Sequence, residues 1–408
     1  MFAVARERFR HSWSLIFASF FIKRIIIRMI MCITSAAWGA ARLDVTMACD
    51  IMLDLEGSIR PAMHLANELV RRGHNVSIVS PLMSKDVVEH LRAGGIEPLS
   101  LGARFATKRM GPSVIWFEAW AREAFLRLNS KRVGAELPVT INFSQVFSVP
   151  STVWYLQGPA SLALRDMKKE LSARFRFFYD LFRPVIDYVD EVLVSQMGRR
   201  SQIVIANSVF CASMYSQFGV KASEVIYPAV DCAMFRPSTS KPSSEYVLAY
   251  IGKETRFSVL RSIVDKGVKV KAFGSKIPFF ISSVHKDLTK RPNIEMLGRV
   301  STDELVELYS NALFTLVPFS HEPFGYVPLE SMACGTPPLT YGMQGPGEYV
   351  TDEYTGWLAH TDDEIVTKAV QLWKEGYDLG LRKNCLEAAS KLDKSIYLSK
   401  FLKVLDNL

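Results

Sequence analysis

Two doubly wound α/β domains facing each other across a cleft are what this sequence predicts. Three observations point there. Short apolar runs alternate with helix-spaced amphipathic stretches along most of the chain. A polar, proline-punctuated segment interrupts that alternation near residue 235. The 408 residues are also enough to bury two full cores.

The elements follow in order. Leu43–Ile51 reads as a buried strand. Ala62–Arg72 reads as a helix, because Met63, Leu65, Ala66, Leu69 and Val70 recur on one face. Gly73 stands where a helix-closing glycine belongs, and Val76–Val79 is the next strand, ended by Pro81. That β-α-β unit implies a right-handed crossover and a parallel sheet. Further strands are predicted at Ile96–Leu101, Val139–Phe143, Val153–Leu156, Ile203–Ala206 and Val225–Tyr227, with helices at Ala163–Phe182 and Phe210–Phe218. Cys232–Glu245 reads as a linker. Alternation resumes with strands at Tyr246–Ile251, Val268–Phe273, Ile294–Met296, Leu313–Val317 and Pro338–Tyr341. The expected domains are therefore 43–234 and 235–385, with a C-terminal helix over 386–408 packing back on the first. Ligands of such sheets sit beyond the carboxyl ends of the strands, so the cleft is the expected site.

Composition excludes several classes. At 49% hydrophobic and 22% charged the chain is an ordinary folded one. Its net charge of +8 is uneven: residues 1–43 hold seven basic residues against Glu7, which leaves only +2 for the rest. No nucleic-acid recognition motif accompanies that charge, so no nucleic-acid partner is expected. The six cysteines are scattered with no C-x-x-C, which indicates reduced thiols rather than a zinc site or a disulfide framework. Ser12–Ile22 is apolar but is interrupted by Lys23, Arg24 and Arg28, short of the roughly twenty residues a membrane span needs. Residues 1–42 are read as an extension outside the fold, with an upstream start codon as one origin and Met29 or Met31 as the start of the folded protein. A segment lying in a membrane interface is the alternative, and a signal peptide is disfavoured.

Chemistry concentrates in Ser320–Glu330, Ser-His-Glu-Pro-Phe-Gly-Tyr-Val-Pro-Leu-Glu. A helix should begin near Gly325 or Tyr326, since Pro328 is tolerated only in a first turn, and stop at Gly335 before Pro337 and Pro338. Gly325 allows close backbone approach, and the amides near Tyr326 and Val327 form an anion site. Glu330 lies about 7 Å along the axis from Gly325, a spacing that suits a ribose donating two hydroxyls to one carboxylate.

These residues resemble the E-x7-E motif of the retaining family 4 glycosyltransferases, also described as glycosyl transferases group 1, which have the GT-B fold. The resemblance extends over residues 43–408 and is strongest from 200 to 360. Its further landmarks are Asn207-Ser208, Ile226-Tyr227-Pro228-Ala229-Val230-Asp231 with Phe235 and Pro237, Pro292-Asn293-Ile294 through Leu297-Gly298-Arg299-Val300, and Tyr354-Thr355-Gly356-Trp357-Leu358. It implies transfer of a hexose-type sugar from a nucleotide-diphosphate sugar to a hydroxyl acceptor on a glycan or lipid-linked carrier. It also implies no cofactor, no obligatory metal, and a cytoplasmic protein, peripheral at the inner face of the membrane. By the same resemblance Glu330 holds the ribose and Glu322 the donor sugar, with Phe324, Gly325, Tyr326 and Val327 supplying main-chain contacts. Gly274 borders the nucleotide, while Gly57 and Ser58 form a loop near the diphosphate and acceptor; a helix start capped by Ser58 is the alternative for that loop.

Two departures stand out. The family's Arg and Lys cations for the departing diphosphate are matched here only by Lys253 and Arg256, after Gly252. Gln157 stands where many members carry a histidine, and an amide can bind a hydroxyl but cannot shuttle a proton. None of the seven histidines makes a strong catalytic case, His321 beside Glu322 being the best. Arg165–Phe182 interleaves Lys168, Lys169, Arg174 and Arg176 with Phe175, Phe177, Phe178 and Tyr179, either a membrane-facing helix or a solvated one. The competing functions are a degenerate sugar-nucleotide-binding subunit and a sugar-nucleotide epimerase or phosphorylase of the same fold.

Overall fold

The computed structural model describes residues 42–55, 57–107, 112–126, 139–239, 241–252, 254–274, 287–319 and 321–408. Lys253 and all of the N-terminal extension over 1–42 except its last residue lie outside these residues.

The first lobe is a seven-stranded sheet of β1 (Asp44–Ala48), β2 (Asn75–Ser80), β3 (Ile96–Ser100), β4 (Val139–Asn142), β5 (Ser151–Leu156), β6 (Ser201–Ala206) and β7 (Glu224–Val225). Its helices are α1 (Arg60–Arg71), α2 (Lys85–Ala93), α3 (Pro112–Leu126), α4 (Ala160–Met167), α5 (Ala173–Arg199) and α6 (Val209–Ser216). The second lobe is a six-stranded sheet of β8 (Val247–Ile251), β9 (Val270–Gly274), β10 (Ile294–Gly298), β11 (Thr315–Val317), β12 (Pro338–Tyr341) and β13 (Trp357–Ala359). With it go α7 (Phe257–Asp265), α8 (Thr302–Asn311), α9 (Tyr326–Ala333), α10 (Asp362–Glu375), α11 (Gly380–Ser390) and α12 (Lys394–Asp406).

Every strand pairing is parallel. The orders are β3-β2-β1-β4-β5-β6-β7 and β10-β9-β8-β11-β12-β13, so both lobes are Rossmann-like. Each sheet reverses direction of winding at one point, between β1 and β4 and between β8 and β11. A crevice opens at such a switch because the helices that follow the two strands depart to opposite faces.

Each helix forms where local signals agree. In α1, Ala62, Met63, Leu65, Ala66 and Leu69 bury one face against the sheet, Pro61 sits in the first turn, and Gly73 (φ +89°) follows the end. Ser208, Ser301 and Thr361 cap α6, α8 and α10 by accepting from the amides of Cys211, Glu304 and Glu364. The last helix belongs spatially to the first lobe. Tyr397, Phe401 and Leu405 of α12 are buried with α1 and the first sheet, Phe401 stacks 5.9 Å from Phe143, and the Tyr397 hydroxyl donates to the Pro61 carbonyl (3.0 Å).

Three elements differ from the sequence expectation. The helix expected over Ala163–Phe182 is broken: α4 ends at Met167, a 3-10 turn covers Lys168–Glu170, and α5 then runs to Arg199. The break lets Leu171 turn into the second lobe's core, a long-range contact that no local pattern announces. Pro184 sits inside α5 on its exposed side, where water can satisfy the carbonyl it leaves unpaired. The expected single C-terminal helix is two, α11 and α12, with Asp393 capping the second through the Ser395 amide (2.9 Å). Trp357–Ala359, read only as part of a landmark, is a sheet strand.

Helix α5 is apolar on two faces. Phe175, Tyr179 and Ile186 turn inward to the second lobe's core. Phe177, Phe178, Leu181, Phe182, Val185 and Tyr188 recur along the outer face, each 43–67% exposed. Among the described residues, no helix is long and apolar enough to cross a membrane.

Candidate functional site

A cavity of about 200 Å³ lies where the carboxyl ends of the two sheets converge. The first lobe contributes Gly57 and Ser58 after β1, Gln145 after β4, Gln157 and Gly158 after β5, and Asn207 after β6. The second contributes Glu254 after β8 and the run His321–Tyr326 between β11 and α9. These are the two topological switch points brought face to face.

The loop into α9 is tightly held. The Glu322 amide donates to Gln344 Oε1 (3.0 Å), and its carbonyl accepts from the Gly345 amide (2.9 Å). The Tyr349 hydroxyl donates to the Gly325 carbonyl (2.5 Å). Gly325 has φ +85°, and a Cβ there would stand 2.8 Å from Pro346 Cγ and 3.3 Å from Glu322 Cγ. The position therefore requires glycine both for its backbone and for space. α9 then begins at Tyr326 with Pro328 in its first turn, so the start of the helix, where backbone amides lack intrahelical partners, lies in the cavity wall at Gly325 and Tyr326. Gln344 and Tyr349, which fix this loop, gave no sequence signal; the clue open to reading was the glycine-rich run Gly342–Glu348 that carries Gln344.

Glu330 lies one to two turns along α9 and is 2% exposed. One carboxylate oxygen pairs with the Arg60 guanidinium of α1, across the lobes, and the other accepts from the Tyr309 hydroxyl (3.1 Å). Burial and the adjacent Glu330 carboxylate hold the Tyr309 phenol well above its ordinary range. Arg60 also lies over the Tyr326 ring, 5.2 Å from its centroid. Arg60 was missed by sequence reasoning, because it sits 270 residues from its partner.

The other expected residues divide. Gly57 (φ +61°) and Ser58 line the cavity from a 3-10 turn preceding α1. The side chain of Ser58 does not cap that helix, whose N-cap position is Ile59 with no side-chain bond. Gln157 lines the cavity with its amide nitrogen fixed on the Phe143 carbonyl (2.6 Å). Gly274 (φ +133°) ends β9, where a Cβ would meet the Ile251 carbonyl at 2.1 Å, so the bend is one only glycine makes. Val327 is half-buried in the second lobe's core and is not among the cavity-lining residues.

Arg256 needs correction. Expected to face a departing phosphate, it is instead 6% exposed and does not line the cavity. Its guanidinium pairs with Asp362 of α10, and its Nε lies 3.7 Å from Glu170 of the first lobe. Burial beside two carboxylates keeps it in the wall between lobes. Among the described residues lining the cavity, His321 is the one able to carry positive charge, against Asp166, Glu254 and Glu322. His321 adopts φ +62°, and its Nδ1 lies 3.2 Å from Oδ1 of Asp166, on α4 of the opposite lobe. Asn207 also faces the cavity, with a buried amide oxygen that has no hydrogen-bond partner.

Beneath the cavity floor, Asp50 follows β1 and is buried with its carboxylate on the Ser144 hydroxyl, the Gln145 amide (3.1 Å) and the Trp116 side chain. Burial raises its pKa above the ordinary carboxylate value. It thereby holds Gln145 and Trp116 in the wall. On the rim, Glu348 of the second lobe accepts from the Val209 (2.9 Å) and Phe210 (2.6 Å) amides at the start of α6 and from the Tyr227 hydroxyl (2.8 Å). Burial, and then that bond, push the Tyr227 phenol up to about 12. Among the described residues, no group of three His, Cys, Asp or Glu side chains is placed to hold a metal ion.

This two-lobed fold is shared with known proteins. The family described as "Glycosyl transferases group 1" matches residues 275–392. Sucrose-phosphate synthase from Thermosynechococcus elongatus superposes with a TM-score of 0.67 at 15% identity, covering 90% of this chain and 98% of that one. Anabaena HepE, solved in complex with UDP-glucose, gives 0.64 at 15% identity, covering 89% and 100%. Among curated sequences, D-inositol 3-phosphate glycosyltransferase of Mycobacteroides abscessus is 24% identical over 196 residues, 43% of this chain and 42% of that protein. An uncharacterized glycosyltransferase of Methanocaldococcus jannaschii is 41% identical over 71 residues, 17% and 20% respectively. The chain thus aligns with between a fifth and about two-fifths of the length of these curated relatives. Its fold is that of the GT-B glycosyltransferases. The part of the chain that resembles the glycosyl transferases group 1 family lies in its second half.

Proposed function

We propose that the chain is a retaining glycosyltransferase that moves a hexose-type sugar from a nucleotide-diphosphate sugar to a hydroxyl acceptor. The observation that carries this reading is the start of α9, which reaches the interlobe cavity beside Glu322, with Glu330 buried about one turn further along the helix and outside the cavity lining. The amides at Gly325 and Tyr326 receive the diphosphate, Glu330 the ribose hydroxyls, and Glu322 the hydroxyls of the donor sugar. Gln157 and the unpartnered oxygen of Asn207 offer further hydrogen bonds to the sugar or acceptor. In the reaction the bond from the anomeric carbon to the phosphate oxygen breaks and its electron pair stays on the phosphate. The acceptor oxygen bonds to the anomeric carbon on the same face, and its proton passes to the leaving phosphate. Charge develops on that phosphate, and Lys253 and His321 are the groups proposed to offset it. Arg256 serves instead as a tie between Glu170 and Asp362. No metal is required in this scheme.

Thermal-shift screening with UDP-, GDP- and ADP-sugars tests the donor site, since a ligand at 100 times its Kd adds about 2.7 kcal/mol. Glu322→Ala should abolish transfer and donor hydrolysis, and NMR of the product should show retained configuration. Binding without turnover in the wild type would instead favour a sugar-nucleotide-binding subunit.

A second feature concerns where the acceptor resides. The exposed stripe on α5 includes three phenylalanines, with Arg174 among them and exposed Lys169 and Arg176 beside them. Apolar rings with cations suit an anionic lipid surface, and a lipid-linked acceptor would be met there. Co-sedimentation with phosphatidylglycerol vesicles should be lost in Phe177→Ser/Leu181→Ser/Phe182→Ser. Wild-type protein that ignores such vesicles would end the idea.

A further inference from the structure

Glu330 has no spare oxygen. One is taken by Arg60 from the opposite lobe and the other by the Tyr309 hydroxyl, inside a wall that leaves the carboxylate almost wholly out of water. Each oxygen keeps a second lone pair, but the carboxylate is almost wholly buried, so a ribose hydroxyl that donates to Glu330 competes there with Arg60. A buried carboxylate that loses its cation must gain equivalent donors at once, and two ribose hydroxyls supply them.

The released guanidinium has a destination close by. Arg60 is the first residue of α1 and follows directly on the Gly57–Ile59 turn. Gly57, Ser58 and Pro61 on either side of it line the cavity, as does Tyr326, over whose ring the guanidinium already lies. Phe235 stands on another side, 6.0 Å from the guanidinium carbon. An arginine resting on aromatic rings keeps its planar fork while its hydrogen bonds change. The described cavity wall holds three carboxylates and His321, a poor reception for a diphosphate.

The geometry points to Arg60 as an exchange arginine: paired with Glu330 as the structure shows it, and transferred to the diphosphate when ribose takes Glu330. This rests on the donor site proposed above and adds a diphosphate-binding residue from the first lobe, contributed across the cleft. It also makes nucleotide entry depend on remaking an ion pair between the lobes.

Nucleoside and nucleoside diphosphate separate this role from a merely structural one. Calorimetric titration of the full chain with uridine and UDP, or with the guanosine or adenosine pair if the wild type prefers it, compares wild type with Arg60→Ala. The exchange requires opposite responses. Uridine, which has no phosphate, should bind several-fold tighter because its competitor for Glu330 is gone. UDP should bind about tenfold or more weakly, the order expected on losing a charged hydrogen bond. Both ligands tighter would make Arg60 a simple block. Both weaker or both unchanged would make it a structural counter-ion. Each of those results overturns the proposal. Should Arg60→Ala fail to fold, Arg60→Lys carries the test, since it keeps the charge but not the fork: UDP should weaken while uridine does not. Failure of the underlying site reading appears separately, as wild-type protein that binds none of the nucleoside diphosphates.

Discussion

Gly325 carries two constraints at once within the loop that opens α9. Its left-handed backbone and the 2.8 Å approach of Pro346 exclude a side chain, and Pro346 is a stiff ring that cannot rotate away. Gly325→Ala should therefore lower unfolding stability by about 1–3 kcal/mol, read by denaturant titration, and weaken nucleotide binding in parallel. Glu68 shows a different single-residue effect. Its hydrogen bond to Arg71, helped by Arg72, draws its pKa down to about 2 from an ordinary 4.5. A depressed carboxylate stabilises the fold fully above the ordinary value and loses that contribution as pH falls toward 2. Glu68→Gln should consequently flatten the stability profile between pH 4.5 and 2 while leaving the cavity intact. Of the site residues, those in the Glu322–Glu330 run were legible because they are neighbours in sequence and carry turn and helix-start chemistry. Arg60, Tyr309, Gln344 and Tyr349 were not, because each is recruited by a fold contact 21 to 270 residues away.

At the level of elements, periodicity served well where a segment's partners lie next to it. The β1–α1–β2 unit was read within two or three residues at each end, since an amphipathic helix flanked by apolar strands encodes its own geometry. Periodicity failed at α4 and α5, where Leu171 leaves the helix to enter a core built from β8 and α7. The C-terminal helix α12 makes the reverse excursion and completes the first lobe. Phe401 is fully buried there against Phe143 and Tyr155. Phe401→Ala should cost about 3–5 kcal/mol, and limited proteolysis should then release the C-terminal segment before the rest of the chain is cut.

Taken whole, the molecule has two sheets wound in the same order, and that much follows from strands and helices alternating under the rule for parallel crossovers. How closely the lobes meet does not follow. Gly158 shows it directly: a Cβ there would fall 2.6 Å from Pro323 Cγ of the other lobe. Nothing in a local pattern reports such a distance, because it depends on the summed placement of two independent cores.

The carboxylate of Glu348 belongs to one lobe yet holds the first amides of a helix in the other. A rotation that parts the lobes must bare those amides to water, so their hydrogen exchange measures closure with no label attached. Val209 and Phe210 should exchange slowly when a nucleotide holds the cleft shut and faster without it. In Glu348→Gln, where a neutral amide caps the helix less well, they should exchange fast in both states. Exchange at these two amides that ignores both nucleotide and substitution would mean that the lobes do not move about this contact. The protein thus carries its own hinge gauge, written in two backbone protons.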